Sequence, residues 1–161
     1  MESRFSMFDN EIGAKFAKRF GNASLVIAQS PLPKSTQELV SLRVSQINGC
    51  GWCADYHTKE AAAEGEPAVR LNLLATWRES TVYTEAEQAA LALAEEGTRL
   101  ADASHGVSDE TWALAREHYD DDQLAALVCL VAQINAANRM AVIVRQKGGS
   151  YEPGMFAAVS G

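Results

Sequence analysis

Apolar residues recur along this chain at intervals of three and four, and the breaks between them carry the residues of caps and turns. The whole chain therefore reads as helix, with no convincing strand. A first helix is expected from about Asp9 to Phe20, with Ile12 and Phe16 inward and Gly21 as its stop, then a short one from Ala23 to Gln29 before the breaker Ser30-Pro31-Leu32-Pro33. Ser35-Thr36-Gln37-Glu38 has the form of a capping box and opens a helix striped by Val40, Val44 and Ile47, which Asn48-Gly49 ends. The next helix runs from Cys50 to about Glu64, with Gly65 as its stop. Pro67 suits the first turn of another, whose stripe is Val69, Leu73 and Trp77. Thr84-Glu85-Ala86-Glu87 is a second capping box, heading a helix with Ala86, Ala89, Ala90, Leu93 and Ala94 inward. Ser108 caps a helix carrying Trp112 and Ala115. The last helix, about Asp122 to Arg145, is the most apolar, with Leu124, Leu127, Val128, Val131 and Ile134 in period. Beyond Lys147-Gly148-Gly149 the chain is expected to be irregular.

Alanine on the packing faces lets helices approach closely, so the predicted architecture is a compact all-α helical bundle. With 161 residues and 47% hydrophobic composition, residues 1–161 read as one domain. The apolar last helix further predicts contact with another copy of the chain. A net charge of -7 and a pI near 4.9 offer no basic stripe to neutralise phosphates, which argues against nucleic acid or an anionic membrane as a partner. Met1-Glu2-Ser3-Arg4-Phe5 has no apolar signal stretch, and no later segment reads as long and apolar enough to span a bilayer. The expected location is the cytoplasm.

The chemistry concentrates in Cys50-Gly51-Trp52-Cys53-Ala54-Asp55-Tyr56-His57. On a helix, Cys50 and Cys53 are related by i,i+3 and Cys53 and His57 by i,i+4, so two thiols and an imidazole share one face. The set offers only three of the four ligands of structural zinc, and the next cysteine, Cys129, sits in the apolar run Leu127–Val131, where a buried inert thiol is expected. No metal is therefore predicted, and a redox pair is the favoured reading. The free N–H groups and positive dipole end at the helix start favour a thiolate there, and His57 is spaced to take a proton from Cys53. His105 and His118 have no cysteine neighbours and receive no role, while Trp52 and Tyr56 either line the entrance to the site or simply pack. Glu38 is accounted for by its place in the Ser35 box. It has a second reading, because at about 1.5 Å per residue Glu38 lies roughly 15 Å below the Asn48-Gly49 turn and His57 roughly 10 Å down the next helix. An antiparallel hairpin would bring the two level, and Glu38 would then orient the imidazole.

The pattern Glu38, eleven residues, Cys50-Gly51-Trp52-Cys53, three residues, His57 resembles the signature of the alkylhydroperoxidase AhpD-like proteins of the carboxymuconolactone decarboxylase superfamily. The likeness continues in Trp77-Arg78-Glu79-Ser80, Glu85–Leu91 and Ile134-Asn135-Ala136-Ala137-Asn138-Arg139, and so covers roughly residues 35–145. It implies an all-helical fold assembling as homotrimers or homohexamers, and a cofactor-free thiol peroxidase that reduces small hydroperoxides. By position, Cys53 would be the peroxidatic thiol, Cys50 the proton donor and resolving thiol, and His57 with Glu38 the proton relay. The reductant implied is a lipoylated protein or another thiol. Where the best-known peroxidases of this type have a histidine just before the second cysteine, this chain has Trp52. Two rival functions are a non-catalytic redox sensor and a decarboxylase of carboxylated lactones; the latter does not need the cysteine pair.

Overall fold

The computed structural model describes residues 2–103 and 105–155. Among these residues there are seven α-helices and no strand: α1 Glu11–Ala28, α2 Lys34–Ile47, α3 Gly51–Ala63, α4 Ala68–Leu73, α5 Glu85–Thr98, α6 Asp109–His118 and α7 Asp121–Val144. A 3-10 stretch, Leu74–Glu79, continues α4. Helices α2, α5 and α7 pack on one another, α3 lies against α2, α6 against α5, and α1 against α7. The core is built from Leu39, Val40 and Val44 of α2, Leu91 and Leu93 of α5, and Leu124 and Leu127 of α7. Each such side chain contributes about 2 kcal/mol by leaving water. Ala89, Ala90, Ala94 and Ala115 are all fully buried, so the backbones of α5 and α6 can come close.

Local chemistry sets most helix starts. Thr84 with Glu87 and Asp120 with Gln123 form complete capping boxes, and Asn10 and Ser108 cap α1 and α6 through their side chains. The Ser35 box does not form. Pro33 takes the N-cap place and Ser35 is already helical, so Glu38 is not drawn back to a backbone N–H. Its carboxylate reaches Lys34 and α3 instead.

Three other expectations fail. Gly21 does not stop the first helix: α1 runs through it to Ala28, and Ile12 and Phe16 are 79% and 50% exposed rather than inward. A glycine in a helix interior lowers stability without breaking the hydrogen-bond ladder, and no proline follows until Pro31. The Val69, Leu73, Trp77 stripe is broken by non-helical backbone at Thr76, leaving Val69 and Leu73 exposed while Leu74 and Trp77 turn inward. Finally, α7 is long and apolar enough, by length and composition, to cross a membrane, contrary to the sequence reading. Here its inward face, Leu124, Leu127, Val131, Ile134 and Ala141, joins the core.

Buried polar groups tie the bundle together. Glu95 of α5 accepts from Arg43 of α2 at 2.6 Å, from the Trp77 indole at 3.0 Å and from Arg78. Burial would raise its carboxyl, but these three donors hold it below the ordinary range. Asn138 of α7, fully buried, donates to Ser45 at 3.1 Å and accepts from Asn48 at 2.9 Å, while Asn48 also donates to Asn135 at 3.0 Å. Among the described residues no buried side-chain nitrogen or oxygen lacks a partner.

Since Gly21 sits mid-helix with nothing within 4 Å of a built Cβ, Gly21→Ala is expected to stabilise the protein by about 0.5–1 kcal/mol. Urea denaturation of the two proteins checks this, and a loss of stability would restore Gly21 as a helix stop.

Candidate functional site

Helices α2 and α3 form an antiparallel hairpin closed by Asn48, Gly49 and Cys50. Gly49 takes a positive φ of 66°, which lets the chain reverse there. The Asn48 N–H donates to Val44, Gly49 to Gln46 and Cys50 to Ser45, so the reversal is bonded at every step. Cys50 is the N-cap of α3, with its Sγ accepting the N–H of Cys53 at 3.3 Å. The two cysteines are joined as a disulfide with Cα atoms 5.4 Å apart, and they are 1% and 5% exposed. The pair therefore lies at the positive end of α3, inside the core surface.

The hairpin brings Glu38 and His57 level. Glu38 Oε2 and His57 Nδ1 are 2.8 Å apart, and Glu38 Oε1 pairs with Lys34 Nζ at 3.2 Å. Burial pushes the Glu38 carboxyl up, but the hydrogen bond and charge of His57, helped by Lys34, outweigh it and leave the group below its ordinary value. With Nδ1 on Glu38, Nε2 is the imidazole nitrogen available for proton exchange. Cys53 and His57 stand one turn apart on α3, so the four residues singled out in the sequence converge around one hairpin.

Cys129 does not behave as expected: it is exposed. The run Leu127–Val131 wraps round the helix. Leu127 and Val131, four apart, face the core, whereas Cys129 lies about 200° round from Leu127 on the opposite side. Trp52 and Tyr56 are not simply exposed at an entrance, because both pack on Tyr151, a residue no sequence motif flagged. The signals available for it were the Gly148-Gly149 pair and the i,i+4 charges Asp55 and Lys59, which proved to be its anchors. Among the described residues no cluster of three or more His, Cys, Asp or Glu side chains is arranged to hold a metal ion.

An all-helical fold with a Cys-X-X-Cys pair at a helix start, a His one turn further along the same helix and a Glu reaching that His from the preceding hairpin arm, is the arrangement of an AhpD-like protein. The chain belongs to the carboxymuconolactone decarboxylase family, whose sequence pattern matches residues 14–96. It is 37% identical over 150 residues to the uncharacterized protein YdfG of Bacillus subtilis (strain 168), covering 93% of this chain and 99% of that one. The crystal structure of a protein of unknown function from Agrobacterium tumefaciens, described as a putative antioxidant defence protein AhpD, is 31% identical. It superposes with a TM-score of 0.84 over 93% of this chain and 100% of its own. The debrominase Bmp8 shares the fold at 19% identity, with a TM-score of 0.71 over 85% of this chain and 73% of its own.

A carboxyl held low in the folded state adds stability that is full above its unfolded value and is lost as pH falls through the lower, folded one. Wild-type protein is therefore expected to lose part of its unfolding free energy as pH drops below 4.5. Glu38→Gln should show a shallower acid limb in urea titrations at stepped pH, and an unchanged limb would mean that Glu38 is not held low.

Proposed function

We propose that this protein is a cofactor-free thiol peroxidase, or a closely related disulfide oxidoreductase, that reduces small hydroperoxides through Cys50 and Cys53. The observation that carries the reading is the Cys50–Cys53 disulfide at the start of α3, one turn from an imidazole fixed by Glu38. In the reduced state His57 takes the Cys53 proton. The Cys53 thiolate attacks the terminal peroxide oxygen, the O–O bond breaks, and the sulfur becomes a sulfenic acid while the departing alkoxide takes a proton from Cys50 and leaves as an alcohol. The Cys50 thiolate, favoured by the helix N-terminus and the Cys53 N–H, then attacks the sulfenic sulfur. Hydroxide leaves, takes up the proton held by His57, and departs as water. An external dithiol returns the disulfide to two thiols and is itself oxidised.

Burial of both sulfurs fits a compact peroxide and a slender reductant, such as a lipoyl arm, better than direct attack by a bulky protein thiol. It also favours the second reading, a redox sensor whose pair turns over slowly. Steady-state hydroperoxide consumption with a lipoyl donor and with other thiols separates the two.

Cys53→Ser should abolish peroxide reactivity, and Cys50→Ser should allow one reaction and leave a sulfenic acid at Cys53 that a dimedone-type probe traps. His57→Ala and Glu38→Gln are expected to move the pH–rate profile upward and slow the reaction at pH 7 by about tenfold or more. Probe labelling at Cys50 in Cys53→Ser, with none at Cys53 in Cys50→Ser, would reverse the assignment of the two sulfurs.

The working unit is further proposed to be a homotrimer or homohexamer. Ile12, Phe16 and Val26 of α1 and Val128, Val142 and Ile143 of α7 all stand exposed, an apolar burden that a second copy would cover. Light scattering should give a multiple of the 17.4 kDa chain, and a monomer at all concentrations would refute the assembly.

A further inference from the structure

Irregular chain beyond a last helix ordinarily frays. Here it is bonded across α3. Asp55 Oδ2 accepts the N–H groups of Gly149 at 2.7 Å and Tyr151 at 3.1 Å. Lys59, paired with Asp55 at 2.9 Å, donates to the carbonyls of Gly149 at 3.3 Å and Tyr151 at 2.7 Å. Glu60 accepts the Tyr151 hydroxyl and the N–H of Gly154 at 3.2 Å. At Gly148 the two backbones touch, and a Cβ there would overlap the carbonyl oxygen of Gly51, next to Cys50. The result is to bury Tyr151, 1% exposed, between Trp52, whose ring is edge-on at 6.0 Å, and Tyr56, at 4.5 Å.

Tyr56 connects this segment to the cysteine site. Its ring stands edge-on to His57 at 4.8 Å, and its hydroxyl hydrogen-bonds Tyr151. Burial first, then the charges of Glu60 and Glu38, push the Tyr56 phenol up; burial and Glu60 do the same for Tyr151. Both phenols stay protonated, and the Tyr151 hydroxyl donates to Glu60. The Tyr56 ring therefore stands with the imidazole on one side and the anchored Tyr151 on the other.

We propose that Tyr151 is a positioning residue of the cysteine site: anchored by Glu60 and packed on Tyr56, it fixes the Tyr56 ring edge-on to His57 and so holds the imidazole where its Nδ1 meets Glu38. The inference rests on reading Cys50 and Cys53 as a redox pair served by His57. The titratable and charged groups linked to that imidazole are Glu38 of α2, which meets it, Lys34, which pairs with Glu38, Tyr56 of its own helix, whose ring meets it, and behind Tyr56 the Tyr151–Glu60 pair. Without the Tyr151 hydroxyl the anchor to Glu60 is lost, and the Tyr56 ring that packs on Tyr151 can shift against the imidazole.

The test uses the full chain, reduced, with Tyr151→Phe keeping the ring and removing only the hydroxyl. Iodoacetamide alkylation of Cys50 and Cys53 is followed by peptide mapping across pH 5–9, and the proton shared by His57 and Glu38 is followed by NMR. In Tyr151→Phe, alkylation at pH 7 should slow about threefold, the profile should move up, and the shared-proton signal should shift. In a His57→Ala background the same substitution should change nothing further. A lower melting temperature with an unchanged pH profile and proton signal would reduce Tyr151 to a staple, and an equal effect without His57 would show that it acts by another route. If Tyr151→Phe fails to fold, Glu60→Gln, which keeps both phenol rings, is read in the same way. Neither measurement uses peroxide, so a protein that consumes none would overturn the peroxidase reading and leave this inference to stand or fall by itself.

Discussion

The reversal between α2 and α3 is the constraint on which the rest of the site depends. Glu38 and His57 are 19 positions apart and meet only because the chain turns at Asn48, Gly49 and Cys50 and returns along its own side. The turn is held from behind by α7: Asn48 is pinned by Asn135 and Asn138, and Asn138 by Ser45. A satisfied amide network centred on the buried Asn138 and Ser45 is rigid, because a shift leaves polar groups there without partners in a low dielectric, each at about 1–3 kcal/mol. The geometry of the cysteines is thus set by a helix that contributes no residue to their chemistry.

Carboxylates are placed with equal economy. The chain carries 21 acidic residues against 14 Lys and Arg, yet its buried acids are matched. Glu95 has two arginines and an indole, Glu87 has Arg70 and its own cap, and Glu38 has an imidazole and a lysine. In the first two the partners are permanently charged and the arrangement is architectural. In Glu38 the principal partner is an imidazole held through Nδ1, which leaves its other ring nitrogen turned away from the carboxylate.

Much of this was legible from residue order. The capping chemistry at Thr84 and Ser108 and the inward faces of α5 and α7 follow from local rules that the bundle does not contradict, except at Val128, which the spacing places in the α7 stripe and which stands exposed one position round from Leu127. The convergence of Glu38 on His57 followed from rise per residue and one tight turn. The misreadings arose where two local signals compete or where a helix is apolar all round. Ser35-Thr36-Gln37-Glu38 fits a box, but Pro33 starts the helix first. Leu127–Val131 is continuously apolar, so period alone does not say which side Cys129 takes. Val69 and Leu73 keep helical spacing up to the kink at Thr76, which nothing in the residues announces. Tyr151 was invisible for a different reason: its partners are almost a hundred positions away, and no short-range rule connects them.

That separation also has a meaning in time. Asp55 lies 94 positions before Gly149, the first backbone group that caps it from the C-terminal side. At synthesis rates of about 5–20 residues per second, roughly 5–20 s pass between the making of the cysteine helix and the arrival of its cover. For that interval the nascent chain carries Trp52 and Tyr56 bare beside a thiol pair. The nascent chain is therefore more open to oxidants and to wrong disulfide partners until Gly149 and Tyr151 have been joined and have bonded to Asp55.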